Sequence, residues 1–386
     1  MKKIGIVTSV RELNYGAILQ AFALQTMVSQ WGYDVRLLWW SNQKNLHRDI
    51  RLKKIFSMII TYIRNPQIIK KSVNAYGHTF KKKISEASII LYERFEDKFL
   101  KINFLTYAQM KKFAASPDCK ALIAGSDQIW NSYAIYVDPF YYLRFAPREK
   151  RVAYAPSLGK NDIPDYNKVT IEKYISEFHR ISVREKSSKK LLEKSVSKKI
   201  FVALDPTFLL TCNEWRKIEK DIMATTEYIL LYFLDRPDEK SMSQIKSLLE
   251  KIKFPIFALP YRMPCWNVMG NVKYVNAGPA EFLSLIDNAK LVITDSFHGT
   301  VFSIIFNKIF YTFDRQYGNN QSQVSRITDL LNLLGLSDRF IGQGCLLKNS
   351  EINIDYTEIN RKLENLREES KRYLKEAINS CGQVTE

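Results

Sequence analysis

The sequence predicts an α/β protein built from two facing Rossmann-like domains, with a basic helical insertion in the first and a C-terminal helix crossing back. Three observations carry that prediction. Short apolar runs alternate with segments of helical spacing. The alternation falls into two series, joined near residues 210–226. The chain of 386 residues is about twice the length of a usual single domain. Hydrophobic residues at 46% and aromatics at 13% suffice for packed cores, which excludes general disorder.

The first series opens with "KIGIVTS" (3–9) as a strand and "GAILQAFALQTMVSQWG" (16–32) as a helix stopping at Gly32. "YDVRLLWW" (33–40) is the next strand, so a βαβ unit is complete within forty residues. Residues 41–115 break the rhythm and look helical, basic and amphipathic, as an insertion over a sheet edge would. Strands resume at "ALIAGSD" (121–127), "RVAYAPS" (151–157), "RISVRE" (180–185) and "IFVALDP" (200–206), with helices near 167–178 and 186–194. The second series has strands at 227–235, 255–260, 290–295 and 309–313, with helices near 238–252, 279–288, 298–306 and 324–334. A long charged helix runs from Tyr356 to Ile378. The expected divisions are 1–215 for the first domain, with the insertion at 41–115, 216–345 for the second, and 346–386 for the tail.

The formal charge of +18 calls for acidic partners. From Lys44 to Lys83 the chain carries eleven Lys and Arg against one acid, Asp49, a net +10 in about a tenth of its length. There "IFSMIITYI" interleaves with the charges, the composition of a helix lying on an anionic membrane surface. A solvated insertion whose apolar face packs on its own domain fits the same composition. No helix-turn-helix, RNP-like or zinc-finger pattern accompanies the charge, so nucleic acid is not an expected partner. Five cysteines are widely scattered without a CxxC pair, which points to reduced thiols and no metal site. The opening "MKKIGIVTSV" imitates a secretory signal, but its apolar run stops at Arg11 and reads as a strand. The longest uncharged apolar run, Ile55 to Ile63, is too short to span a bilayer. A cytoplasmic protein, peripheral at the inner membrane face, is expected.

Every stretch with chemical potential follows a strand and opens a helix, where backbone N–H groups and the helix dipole favour anions. Asn14, Tyr15 and Gly16 form one such turn, although an ordinary helix start would look alike. Ser126, Asp127 and Gln128 form a second, in which Asp127 is either a helix cap or a base toward a hydroxyl. Arg184 ends a third strand and offers a planar fork for carboxylate or phosphate, or a surface ion pair. The densest turn is "TDSFHGT", where Asp295, Ser296, His298 and Thr300 crowd beside Gly299. A lone histidine is usually structural, but this polar cluster between apolar runs marks His298 for proton transfer or anion binding.

Taken together, "NYGAILQAFALQ", "IAGSDQIWN", "YYLRFAP", "RVAYAPSLG", "ISVREKSS", "LDPTFLL" and "VITDSFHGTVFSIIFNKIF" resemble the polysaccharide pyruvyl transferase family, from about Gly5 to Arg339. The resemblance implies a GT-B-like fold and transfer of a pyruvyl group from phosphoenolpyruvate to two hydroxyls of one sugar, forming a ketal. It implies phosphoenolpyruvate as co-substrate with no cofactor or metal, and a sugar acceptor on a polyprenyl pyrophosphate precursor of a bacterial capsule or exopolysaccharide. The first domain would then hold the acceptor and the second the donor. Arg184, Ser296, Phe297, His298 and Gly299 would bind the donor, and His298 and Asp127 would handle protons. Asn14, Tyr15, Gly16, Ser126 and Gln128 would form an acceptor or anion-binding rim. Some relatives carry an arginine where this chain has Ser296; Arg315 or Arg326 can replace that contact. The competing enzyme reading is a GT-B glycosyltransferase using a nucleotide sugar, since a fold does not fix a reaction.

Overall fold

The computed structural model describes residues 1–10, 13–41, 84–220, 227–252, 254–315, 325–342 and 353–382, with positions 52, 55, 56, 59, 60 and 63. Most of the basic segment therefore lies outside the described residues, as does Cys345; the other four cysteines are free thiols.

The first sheet contains seven parallel strands in the order β3-β2-β1-β4-β5-β6-β7. These are β1 (Lys3–Val7), β2 (Asp34–Trp40), β3 (Ile102–Leu105), β4 (Cys119–Ala124), β5 (Arg151–Ala153), β6 (Arg180–Val183) and β7 (Ile200–Val202). Its helices are α1 (Tyr15–Gln30), α2 (Glu86–Phe99), α3 (Tyr107–Ala115), α4 (Asp165–Ser176) and α5 (Lys186–Leu192), followed by the short α6 (Cys212–Arg216). The central strands are largely apolar because a parallel sheet is covered on both faces.

The second sheet has six parallel strands in the order β10-β9-β8-β11-β12-β13. They are β8 (Ile229–Tyr232), β9 (Ile256–Leu259), β10 (Val272–Tyr274), β11 (Leu291–Thr294), β12 (Ile309–Phe313) and β13 (Phe340–Ile341). The helices here are α7 (Glu239–Lys251), α8 (Pro279–Asp287), α9 (Phe297–Ile305) and α10 (Ser325–Leu334); α11 (Tyr356–Asn379) closes the chain.

One expectation is corrected. Residues 102–105 lie within the stretch read as a helical insertion, yet they form β3, the edge strand paired with β2 through Leu37–Trp40. Four half-exposed residues leave no period long enough to read.

Two sheets share one interior. Helix α1 is buried almost throughout, from Tyr15 to Val28, because it lies between the sheets rather than on a surface. Its core cluster continues through Trp215 to Phe282, Val301 and Phe302 of the second sheet's helices, and on to Leu363 and Leu374 of α11. Separate clusters cover the outer faces of each sheet. Helix α11 does cross back: Arg367 Nε donates to the Phe208 carbonyl at 2.6 Å, and Ser370 Oγ accepts from the Leu204 amide at 3.0 Å. Tyr373 stacks on Phe201, their centroids 4.7 Å apart.

In both sheets the strand order reverses at one place, between β1 and β4 and between β8 and β11. Open parallel sheets bind ligands in the crevice beyond the carboxyl ends of such strands. The two crevices face each other.

Candidate active site

A cavity of about 370 Å³ occupies that position. Its walls come from Ser9 and Asn14 after β1, Asp127 and Gln128 after β4, Leu234 after β8, and Asp295 to His298 after β11, joined by Arg315 and Arg326. All four switch-point strands thus end on the same space.

The turn after β11 explains how His298 is presented. Ser296 caps α9: its Oγ accepts from the Gly299 amide at 3.4 Å, and its own amide donates to Thr294 Oγ1 at 3.0 Å. Thr300 Oγ1 donates to the Ser296 carbonyl, and the Asp295 carboxylate accepts from the amides of Leu234 and Asp235 at 2.7 and 2.9 Å. Most of the polar crowding seen in the sequence is therefore spent on backbone, as helix starts require. The His298 ring remains, 6% exposed, packed against α1 where a Cβ on Gly16 would fall inside the imidazole. Only glycine admits so close an approach at that position.

His298 Nε2 lies 3.7 Å from Asp205 Oδ2, an ion-pair distance too long for a hydrogen bond. Asp205 is fully buried; its hydrogen-bond donors all come from the first domain, and it faces His298 of the second. Its Oδ2 accepts from Arg184 Nη1 at 2.7 Å and Ser126 Oγ at 3.3 Å; its Oδ1 accepts from the Thr207 amide and hydroxyl at 3.0 and 2.7 Å. Burial pushes this carboxyl up, but His298, Arg184 and Thr207 outweigh burial and hold it well below the usual carboxylate range.

Arg184 is itself buried. Burial works against its charge, and Glu185 (3.1 Å from Nε) together with Asp205 overcomes that, raising its affinity for the proton above the ordinary. Its guanidinium lies 4.3 Å from the Phe297 ring centroid, with Arg326 on the same ring at 5.7 Å. Phe297 and Arg326 also line a second cavity, of about 280 Å³, whose walls include Arg184, Asp205, Leu204 and Leu366. Phe297 and Arg326 thus border both spaces. Arg184 Nη2 and His298 Nε2 have no hydrogen-bond partner among the described residues. Both nitrogens belong to cationic or titratable groups buried beside cavities, where a ligand could supply the hydrogen bond.

Several expected site residues serve the frame instead. Tyr15 does not reach the cavity: it is 1% exposed, stacked between Tyr92 and Phe282 at 5.1 and 4.5 Å, with its hydroxyl donating to the Ala277 carbonyl. Asn14 lines the cavity but its Oδ1 is occupied by the amides of Gly16 and Ala17. Ser126 sits behind the wall, donating to the Ala155 carbonyl at 2.7 Å. Gly299 permits α9 to press on Thr294 and Tyr232. Asp127 and Gln128 do face the cavity, Asp127 with φ of 60°, a conformation few non-glycine residues adopt.

Sequence reasoning passed over Asp205, although "IFVALDP" put it at a strand end like the others. It also missed the loop after Asp127. There buried Trp130 stacks on Tyr142 and donates from its indole to the Tyr141 carbonyl at 3.1 Å, so Tyr136, Tyr141 and Asp138 reach the wall.

The fold is the two-domain GT-B arrangement. Arabidopsis thaliana UGT89C1 complexed with UDP-L-rhamnose superposes with a TM-score of 0.52 at 11% identity, covering 98% of this chain and 99% of that one. UDP-N-acetylglucosamine 2-epimerase from Rickettsia bellii gives 0.50 at 9% identity, covering 100% and 99%. At such identities the likeness is one of fold alone. No curated protein gives a significant sequence match. The sequence profile of the polysaccharide pyruvyl transferase family matches residues 14–317. This chain belongs to that family, and it is a transferase of polysaccharide biosynthesis.

Proposed function

We propose that the protein moves the pyruvyl group of phosphoenolpyruvate onto two hydroxyls of one sugar, leaving a pyruvate ketal and phosphate. Family membership supplies the group transferred; the observation that supports this donor is the meeting of Arg184, Arg326 and His298 around Phe297. Phosphoenolpyruvate carries a carboxylate and a phosphate, and cationic forks in a partly dry site hold such groups strongly.

The reaction needs three proton transfers. His298 gives a proton to the enol methylene carbon, making the adjacent carbon electrophilic. The first sugar hydroxyl adds there and its proton returns to His298, directly or by way of Asp127. The carbon–oxygen bond to phosphate then breaks with its electrons, the second hydroxyl closes the ketal, and its proton leaves with the phosphate. One sugar diol and one donor thus give one ketal and one hydrogen phosphate. Arg315 and Arg326 hold the donor from the second sheet, with Arg184 reaching in behind Phe297; the acceptor enters from the first sheet, against Asp127, Gln128 and the Tyr136–Tyr141 wall. Incubation with phosphoenolpyruvate and sugar acceptors, followed by ³¹P NMR, should show acceptor-dependent phosphate release. Release of nucleoside diphosphate from a nucleotide sugar, with phosphoenolpyruvate untouched, would replace this reading.

The acceptor is proposed to be lipid-linked, reached by docking at an anionic membrane face. Leu52, Ile55, Phe56, Ile59, Ile60 and Ile63 are helical and exposed, at spacings that place them along one helix face, within the segment whose sequence carries +10. Among the described residues no helix is long and apolar enough to cross a membrane. Sedimentation with phosphatidylglycerol vesicles should carry the protein down at low salt and release it at high salt. Indifference to such vesicles at low salt would remove the membrane from the account.

A further inference from the structure

We propose that Asp205 is a positioning residue: it fixes His298 across the domain cleft for proton transfer, and its contribution to the reaction passes through that ring. The inference rests on the pyruvyl transfer reading above.

The geometry separates two tasks that Asp205 might have. Arg184 keeps a second carboxylate, Glu185, at 3.1 Å, and its guanidinium is backed by Phe297 at 4.3 Å. Losing Asp205 therefore leaves Arg184 paired. Among the described residues His298 has no second carboxylate at ion-pair distance. The Gly16 backbone closes one side of its ring, and Asp205 Oδ2 is the carboxylate oxygen facing its Nε2, at 3.7 Å. The other charged groups that share its cavity are Asp127, Asp138, Asp295, Arg315 and Arg326. Arg184 stands behind Asp205 itself.

The carboxylate is also held more firmly than an ion pair alone would require. Thr207 binds one oxygen twice, while Ser126 and Arg184 bind the other, so Oδ2 has a fixed place toward the imidazole. These partners all come from the first domain, and His298 comes from α9 of the second. A charge buried at 0% side-chain exposure is costly unless paired, and the pairing here is built to point one oxygen at a residue of the opposite domain. A base oriented by a third group is a recurring arrangement in proton-transferring sites.

The test is Asp205→Asn, measured in the His298 and the His298→Gln backgrounds. Asparagine keeps an oxygen for Thr207 and removes the charge. In the native background kcat for phosphate release should fall by about 100-fold, with KM for phosphoenolpyruvate changed by less than about threefold. In the His298→Gln background the same change should cost less than about threefold, because residues that act as one unit are not additive. An equal loss in both backgrounds, or a loss in KM alone, would overturn the proposal. Should Asp205→Asn not fold, Asp205→Glu, which shifts the charge by one methylene, carries the same comparison. If the native protein releases no phosphate at all, the functional reading fails separately. The pairing can then still be read from the ¹⁵N spectrum of the His298 imidazole at fixed pH. That signal, identified by its loss in His298→Gln, should move in Asp205→Asn; an unmoved signal counts against the pairing.

Discussion

The two sheets contribute different chemistry to the cleft. Toward the cavity, the first sheet offers carboxylates and aromatics: Asp127, Asp138, Tyr136 and Tyr141, with Asp205 just behind. The second offers His298, Arg315 and Arg326, its one carboxylate, Asp295, being tied to backbone amides. Carboxylates and aromatic rings thus oppose an imidazole and two guanidinium groups. Arg184 is the exception on the first sheet, and it leans across to the Phe297 ring of the second. The lesson is that a cleft between two similar domains can divide its labour by side, with only a few residues reaching across.

The comparison can be broken most severely at His298. His298→Gln should lower kcat by about 10²–10⁴-fold with little change in thermal stability, since glutamine fills the space but transfers no proton. Retained turnover would move the chemistry off the second sheet. Next in size is Arg184→Ala, which leaves Asp205 and Glu185 buried with one partner fewer. Denaturant unfolding should show a loss of about 3–5 kcal/mol, whereas a loss under 1 kcal/mol would mean that Arg184 is not holding the two sides together.

Asp295 gives a sharper, pH-dependent contrast. Burial pushes its carboxyl up to about 6, against the pull of Arg315 and the two amides. A raised folded-state value means that this group favours the fold below the unfolded value near 4, and that the benefit is lost as pH rises through about 6. Relative to the native chain, Asp295→Asn should therefore gain on the order of 3 kcal/mol between pH 4 and pH 7. Stability curves that run parallel would show that Asp295 does not titrate in this range. The smallest expected effect is at Arg326: alanine there should raise KM for the donor about tenfold with kcat nearly kept, a change of about 1.4 kcal/mol.

Much of this was legible in the sequence. Long helices and central strands announce themselves by period, and the site follows from where strands end. Three short edge strands do not: β3, β10 and β13 have four, three and two residues, mostly half-exposed, whereas the equally short edge strand β7 opens the longer apolar run "IFVAL". Asp127, Arg184 and His298 stand out in the sequence because each follows an apolar strand, and the fold sets Asp127 and His298 on the first cavity and Arg184 on the second. Tyr15 sits in the same kind of place in the sequence but lies away from the cavity, because α2 and α8 bring Tyr92 and Phe282 onto its ring from far along the chain. Asp205 was overlooked for the opposite reason. An aspartate before proline reads as a turn cap, and it does cap Thr207, but its other oxygen faces residues that only the tertiary fold brings near.

The account's central claim is that one donor anion lies between the two sheets with its reacting carbon at His298. A crystal structure of the protein soaked with phosphoenolpyruvate tests it most directly. The account predicts the donor against Phe297, its anionic groups within hydrogen-bond reach of Arg326 and Arg184, and its methylene carbon facing the His298 ring. Donor bound away from the cleft, or held there with its methylene turned from His298, would contradict it.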